Sequence, residues 1–219
     1  MLLNLNKKTD RKKAYKDLIF SDHGFLRYKF SNHHGIGKKM YRENQPSPKR
    51  IKEWKKSGIK TNINLRGKSN KGYYLLEKEA CENNAISMID FRVYSRDVHS
   101  IETILNAQKL FSEIEYPAIM HCKSGADRTG FMGVLYKHFH MKEPIEVAIS
   151  QLSLKYLHIK QGKTGILDFF FSEYLLYSSQ KKISFLDWVS NVYDPVELKE
   201  NFMKQWSGNP ITELVLRRE

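Results

Sequence analysis

Cysteine, proline and long apolar runs are scarce in this chain. With two cysteines and six prolines in 219 residues, it has no disulfide scaffold. The pair Cys81 and Cys122 instead fits a reducing compartment, where a thiol stays free to react. No stretch approaches the ~20 uninterrupted apolar residues of a membrane-spanning helix. The first residues, Met-Leu-Leu-Asn-Leu-Asn and then a basic stretch, reverse the order of a secretory leader, in which charge precedes the apolar run. The cytoplasm is therefore the expected location. Zinc-ligand spacings and nucleic-acid motifs are also missing. His33-His34 stands alone as a pair in an apparent turn, so no metal, no cofactor and no nucleic acid is expected.

Acidic residues are the other shortage, 24 against 37 Lys and Arg, for a net charge of +13. The imbalance is local. Residues 1–56 hold 16 basic and 5 acidic side chains, whereas residues 57–219 hold 21 and 19. One cluster is Lys7, Lys8, Arg11, Lys12, Lys13 and Lys16, and a second runs from Lys49 to Lys56. Such a concentration suits an anionic membrane surface, which would make the protein peripheral at the inner membrane face. A solvated tail and a soluble helix face are the plain alternative.

What is present reads as alternating helix and strand. Ser47 before Pro48 opens a helix that ends at Gly58. Ile59–Leu65 is a strand, Tyr73–Asn84 a helix, Ile86–Val93 a strand, Ser100–Glu115 a helix and 117–121 a strand. Phe25–Tyr41 suggests two short strands separated by a His33–Gly37 turn. Helices are expected over 128–141, 144–157 and 165–178, and Asp194-Pro195-Val196-Glu197 reads as a capped helix start. The class is α/β, a central mostly parallel sheet flanked by helices, with a C-terminal helical appendage. The expected divisions are a basic extension at 1–24, a catalytic domain at 25–178 and the appendage at 179–219.

The most informative stretch is His121-Cys122-Lys123-Ser124-Gly125-Ala126-Asp127-Arg128-Thr129-Gly130. A turn from strand into helix here would converge backbone N–H groups on one point and add the positive end of the helix dipole, an anion nest beside a thiol. A helix N-terminus and a neighbouring cation both lower a thiol's pKa. Gly125 keeps the nest uncrowded and tolerates positive φ. Arg128 can grip two phosphate oxygens with its planar fork, and Thr129 can hydrogen-bond the sulfur. Lys123, Ser124, Gly125 and Ala126 line the anion's seat, and Arg66 at the end of the preceding strand is a further candidate substrate contact or brace.

His-Cys-x5-Arg-Thr-Gly resembles the signature of the cysteine-dependent tyrosine and dual-specificity phosphatases. Pro46-Ser47-Pro48 and the Asn64-Leu65-Arg66 turn resemble the compact bacterial members of that group. The resemblance implies phosphomonoester hydrolysis through a cysteinyl-phosphate, with an aspartate as general acid. Three aspartates compete. Asp97 is in a loop-like stretch 25 residues before Cys122, Asp90 lies 32 residues before it in a strand, and Asp127 occupies the loop itself, as in myotubularin-type lipid phosphatases. In several such enzymes a nearby cysteine protects the nucleophile; here Cys81 reads either as that partner or as a core residue. The implied substrate is a phosphorylated protein, with a phospholipid or inositol phosphate as the alternative. Lys123 resembles the phosphoinositide phosphatases, but Ala126 stands where they carry a second lysine. A phosphate-dependent binding module without turnover is the non-enzymatic rival, and a rhodanese-like sulfur carrier is disfavoured by Arg-Thr-Gly.

Overall fold

The computed structural model describes residues 3–27 and 30–207, in two compact units. The first comprises Met1–Val93 and Ile114–Thr129, the second Tyr94–Glu113 and Gly130–Glu219.

The first unit holds α1 (Lys8–Lys16), a π-helical turn at Asp17–Ser21, α2 (Gly24–Arg27), β1 (His34–Ile36), β2 (Met40–Glu43), α3 (Pro48–Lys56), β3 (Thr61–Asn64), α4 (Gly72–Asn83), β4 (Ser87–Asp90) and, after α5 of the second unit, β5 (Ala118–His121). The sheet order is β1-β2-β5-β3-β4, parallel except for the β1–β2 hairpin. β3 and β5 are buried along their whole length, the signature of strands covered on both faces. Helix α3 begins as its sequence dictates: the Ser47 side chain accepts from Arg50 N, and Pro48 fills the first turn. Ile51 and Trp54 of α3 pack with Ala80 and Cys81 of α4 and with Ile119 of β5.

The basic N-terminal stretch is docked. Ala14 and Leu18 pack on Leu76 of α4, and Arg11 forms a two-pronged pair with Glu79 at 2.6 and 2.8 Å. Gly72 permits this approach, since a Cβ there would lie 2.5 Å from the Ala14 backbone. Two expectations for the next segment need correcting. Residues 24–27 are a short helix, not strand, and His34–Ile36 is strand, not turn. The reversal lies at Gly37, whose φ of 74° suits glycine.

The second unit contains α5 (Ile101–Glu113), the body of α6 (Asp127–Phe139), α7 (Ile145–Ala148), α8 (Ile166–Gln180), α9 (Phe185–Asn191) and α10 (Pro195–Ser207). Its core is aromatic: Phe131, Phe170, Phe171, Phe185, Trp188 and Tyr193 are all buried, with several rings edge-on. Asp194 caps α10 by accepting from Val196 N and Glu197 N. The expected single helix over 144–157 is absent. After α7 the chain makes two short 3-10 turns, because Leu152 and Gln151 fill the space above Gly130 and Gly133 of α6. Ser153 is extended and Leu157 has φ 64°, which breaks any helical continuation.

His99 lies inside this unit, stacked on Phe131 at 4.3 Å, its Nε2 accepting from Tyr94 N and its carbonyl from the Tyr193 hydroxyl. Burial pulls its pKa from 6.5 down to about 4, against the pull of Asp97. A depressed folded-state value means the unfolded chain binds the extra proton first, so stability falls as pH drops from 6.5 through about 4. The loss should reach about 3 kcal/mol. Urea titrations across that range should show a steeper pH dependence for the wild type than for His99→Gln; parallel curves would contradict the assignment.

Candidate active site

Strand β5 runs between β2 and β3, with His121 in register with Glu43 on one side and Asn64 on the other. Its loop therefore emerges at the carboxyl end of the parallel strands, where α/β folds place their sites. Residues 122–126 turn there, and α6 starts at Asp127. Neighbouring backbone and side chains hold the loop from below. The fully buried Arg42 of β2 donates from Nη2 to the carbonyls of Gly125 (2.8 Å) and Ala126 (3.0 Å). Asn32 Nδ2 donates to the Ser124 carbonyl and Gln45 N to that of Lys123. Three of the loop's contacts thus draw carbonyls outward, toward Arg42, Asn32 and Gln45. Gly125 N donates to Cys122 Sγ at 3.2 Å. Gly125 has φ 73°, and a Cβ would meet Glu43 O at 2.7 Å and Asn44 N at 2.9 Å, so the turn needs glycine twice over.

The Cys122 thiol is buried, and burial pushes its pKa up. The Arg128 charge, the Thr129 hydroxyl and the Thr129 N–H outweigh burial and hold the thiol below its usual range, with Asp127 opposing them. Cys81 has the opposite character. Packed in the α3–α4 core and close to the Glu77 charge, its thiol is pushed up to about 12. Of the two free thiols, only Cys122 is set up as a nucleophile.

The other predicted residues divide. Ser124 Oγ accepts from Ala126 N, and Lys123 Nζ lies 3.2 Å from His23 Nδ1 of the N-terminal segment. Arg66 is engaged rather than projecting: it binds Asp22 through both Nη atoms (2.9 and 2.6 Å), donates to Gln45 Oε1 (2.6 Å) and covers the Tyr73 ring at 3.6 Å. Asp90, at the end of β4, accepts from Asn64 Nδ2 and the Tyr74 hydroxyl. Asp97, in the second unit, accepts from Val98 N and pairs with Lys199 at 2.8 Å. Burial would raise its pKa, but Lys199 and Val98 hold it below the usual carboxylate range. Asp127 shares the first unit with Cys122 and opens α6.

Sequence reasoning missed Arg42, Asn32 and Gln45. The signal available for Arg42 was a charge in mid-strand; Asn32 and Gln45 had none, since their role depends on which backbone they meet. Among the described residues, no group of His, Cys, Asp and Glu could hold a metal.

The fold is shared. The structure of P. aeruginosa TpbA matches with a TM-score of 0.52 at 15% identity, over 79% of this chain and 91% of that one. A cysteine-to-serine TpbA in complex with pTyr matches at 0.52 and 15%, over 72% and 87%. Tk-PTP in its active form matches at 0.53 and 14%, over 66% and 98%. No curated protein matches in sequence. The fold is thus that of the dual-specificity-like phosphatases, and the protein is a cysteine-dependent phosphatase. More narrowly, the family model for "DSP-PTPase phosphatase fused to NAD+ Kinase" matches residues 30–165, and the chain belongs to that family.

Two outcomes follow from the loop geometry. Iodoacetamide should alkylate Cys122 at pH values below the ordinary thiol range and leave Cys81 untouched in the folded protein, with Arg128→Ala moving the Cys122 profile upward. Equal labelling of both thiols would contradict this. Gly125→Ala should lower turnover of an aryl phosphate by roughly a hundredfold, the scale on which losing a preorganised donor acts; wild-type turnover would show that the loop tolerates a side chain there.

Proposed function

We propose that this chain is a protein tyrosine or dual-specificity phosphatase whose nucleophile is Cys122 and whose general acid is Asp127. The carrying observation is the depressed Cys122 thiol with the Gly125 N–H turned onto its sulfur. The phosphate dianion seats on the N–H groups of residues 123–128, with Arg128 bridging two of its oxygens. Sγ attacks phosphorus, the S–P bond forms and the P–O bond to the leaving group breaks. Asp127 gives its proton to the departing oxygen. Water then attacks phosphorus and yields its proton to the same carboxylate; the S–P bond breaks, and inorganic phosphate leaves with the thiolate restored. Thr129 supports the sulfur as it leaves. Lys123 adds positive charge at the mouth, and Arg66 braces the loop through Gln45.

Asp127 is favoured because it belongs to the loop and opens α6 directly beside Arg128. Asp97 lies in the second unit and is paired with Lys199 at 2.8 Å, an ion pair that a proton donor would have to give up. The phosphoprotein substrate rests on the family and on the pTyr complex of TpbA. Ala126, which supplies no second loop cation, weighs against an inositol-lipid substrate. A peripheral role at an anionic lipid surface is a separable reading. One observation favours it: Phe20 and Leu26 are 65% and 62% exposed in the same N-terminal stretch as the Lys-rich α1. No helix among the described residues is long and apolar enough to cross a membrane.

Wild-type protein should hydrolyse a generic aryl phosphate and phosphotyrosyl peptides in a vanadate-sensitive reaction that Cys122→Ser abolishes. Turnover surviving that substitution would refute the nucleophile. With a poor leaving group, Asp127→Asn should lose ~10²–10⁴-fold in kcat, while Asp97→Asn stays near wild type; the reverse order would move the acid to Asp97. Sedimentation with phosphatidylglycerol vesicles, compared with phosphatidylcholine vesicles, should carry the protein down at low salt only if the surface reading holds, and Phe20→Ser should reduce it.

A further inference from the structure

Residues 17–27 lie outside the stretch that the family model matches, which begins at residue 30, yet they reach the nucleophile loop. Several contacts anchor them. Asp17 accepts from Tyr73 N in the first turn of α4, and the π-helical turn of Asp17–Ser21 sends Leu18 into the core beside Leu76. Asp22, 5% exposed, takes both Nη atoms of Arg66 and one of Arg27. Arg66 also donates to Gln45 Oε1, while Gln45 N donates to the Lys123 carbonyl. The segment meets residue 123 a second time through its side chain. Lys123 Nζ lies 3.2 Å from His23 Nδ1, and an ammonium can only donate.

His23 makes this contact from an unusual conformation. Its φ is 60°, the left-handed region that a non-glycine residue occupies at a cost. Backbone bonds on both sides hold it there: His23 N donates to Phe20 O and Leu26 N to His23 O, both at 3.2 Å. Strain kept by a well-anchored turn beside a catalytic loop points to a use for the side chain. The flanking side chains are apolar and exposed. Phe20, Phe25 and Leu26 are 65%, 49% and 62% exposed, and the Phe25 ring lies 6.3 Å from that of His23. Large apolar side chains grouped on a surface mark a contact site.

We propose that His23, Phe25 and Leu26 form a specificity wall at the edge of the active site, which selects phosphotyrosyl peptides with apolar residues beside the phosphotyrosine. It rests on the reading of the site as a phosphotyrosine phosphatase. The loop binds the phosphate, and the neighbouring residues of the peptide cross the wall that begins at Lys123. Charge is ordered to match. Arg27 and Arg66 share the single carboxylate of Asp22, and Lys123 adds a third cation. The end nearest the loop is therefore cationic and the flank apolar, the order in which such a peptide presents its phosphate and its side chains. A lipid surface would bury Phe20 and Leu26 as well, but only a ligand of the site itself would also meet His23 beside Lys123.

The test uses the full chain and the variants Phe25→Ser, Leu26→Ser and His23→Gly. Glycine suits the left-handed φ, so His23→Gly should keep its fold in thermal unfolding. kcat/KM is measured for an aryl phosphate and for two phosphotyrosyl peptides, identical except for Leu or Ser on both sides of the phosphotyrosine. The wild type should prefer the Leu peptide by about tenfold, the scale of partly burying apolar side chains. Each variant should cut that preference severalfold, mainly through KM. Equal kcat/KM for the two peptides in the wild type overturns the proposal. A folded His23→Gly with the full preference removes the histidine from the wall and overturns it as stated. So does a loss of phosphatidylglycerol-vesicle binding in Phe25→Ser and Leu26→Ser with the peptide preference intact, which would assign the surface to lipid. No turnover of the aryl phosphate would sink the functional reading, whereas aryl phosphate turnover without peptide selectivity sinks only the wall.

Discussion

Burial raises the free energy of a thiolate, and the Cys122 side chain is removed from solvent. The structure must therefore supply enough fixed positive potential to hold it in its reactive form. It does so with groups that cannot relax away: the N–H of Gly125, the N–H and hydroxyl of Thr129 and the charge of Arg128. Those groups converge only if the backbone of 122–128 keeps one tight path. Arg42 and Asn32 draw its carbonyls outward, while Gly125 passes within contact of the β2 terminus where no side chain fits. Preorganisation of this kind strengthens electrostatic catalysis, because nothing needs to reorient as charge shifts.

The sheet exists, for this purpose, to deliver that path. Three parallel strands end side by side, and the nucleophile comes from the middle one, so its neighbours can brace it from two sides. β2 contributes Arg42 and continues into Asn44 and Gln45, and β3 leads to Arg66. Helix α4 adds Glu77, bonded to His121 of β5. The N-terminal segment reaches the same place through Asp22 and His23. A stretch that composition marks chiefly as a basic tail is therefore part of the scaffold, with its lysines outward and Ala14 and Leu18 buried.

Much of this was legible in the sequence. Periodicity and capping residues located α3, α4, α5, α6, α8 and the start of α10, and three of the parallel strands, β3, β4 and β5, fell within the stretches expected to be strand. The nucleophile loop stood out because its chemistry is local: thiol, glycine, arginine and threonine fall within eight residues. What stayed hidden depends on long-range packing. The helix expected over 144–157 is broken because Leu152 and Gln151 fit against two glycines of α6, a constraint written some twenty residues upstream. The partners of Arg66 were unreadable, since Asp22 and Gln45 are far from it in sequence, and the same separation concealed Glu77 and His121 as a pair. For Asp97, loop position suggested an acid, but its lysine partner lies in the last helix described.

The central claim is that Cys122 carries the phosphoryl group between substrate and water. Acid quenching of the protein during turnover of an aryl phosphate, followed by peptide mass spectrometry, tests it directly. The account predicts one added phosphoryl group on the peptide containing Cys122, accumulating in Asp127→Asn when a good leaving group is used and absent in Cys122→Ser. Turnover with no phosphorylated cysteine at any quench time, or with phosphate on another residue, would contradict it.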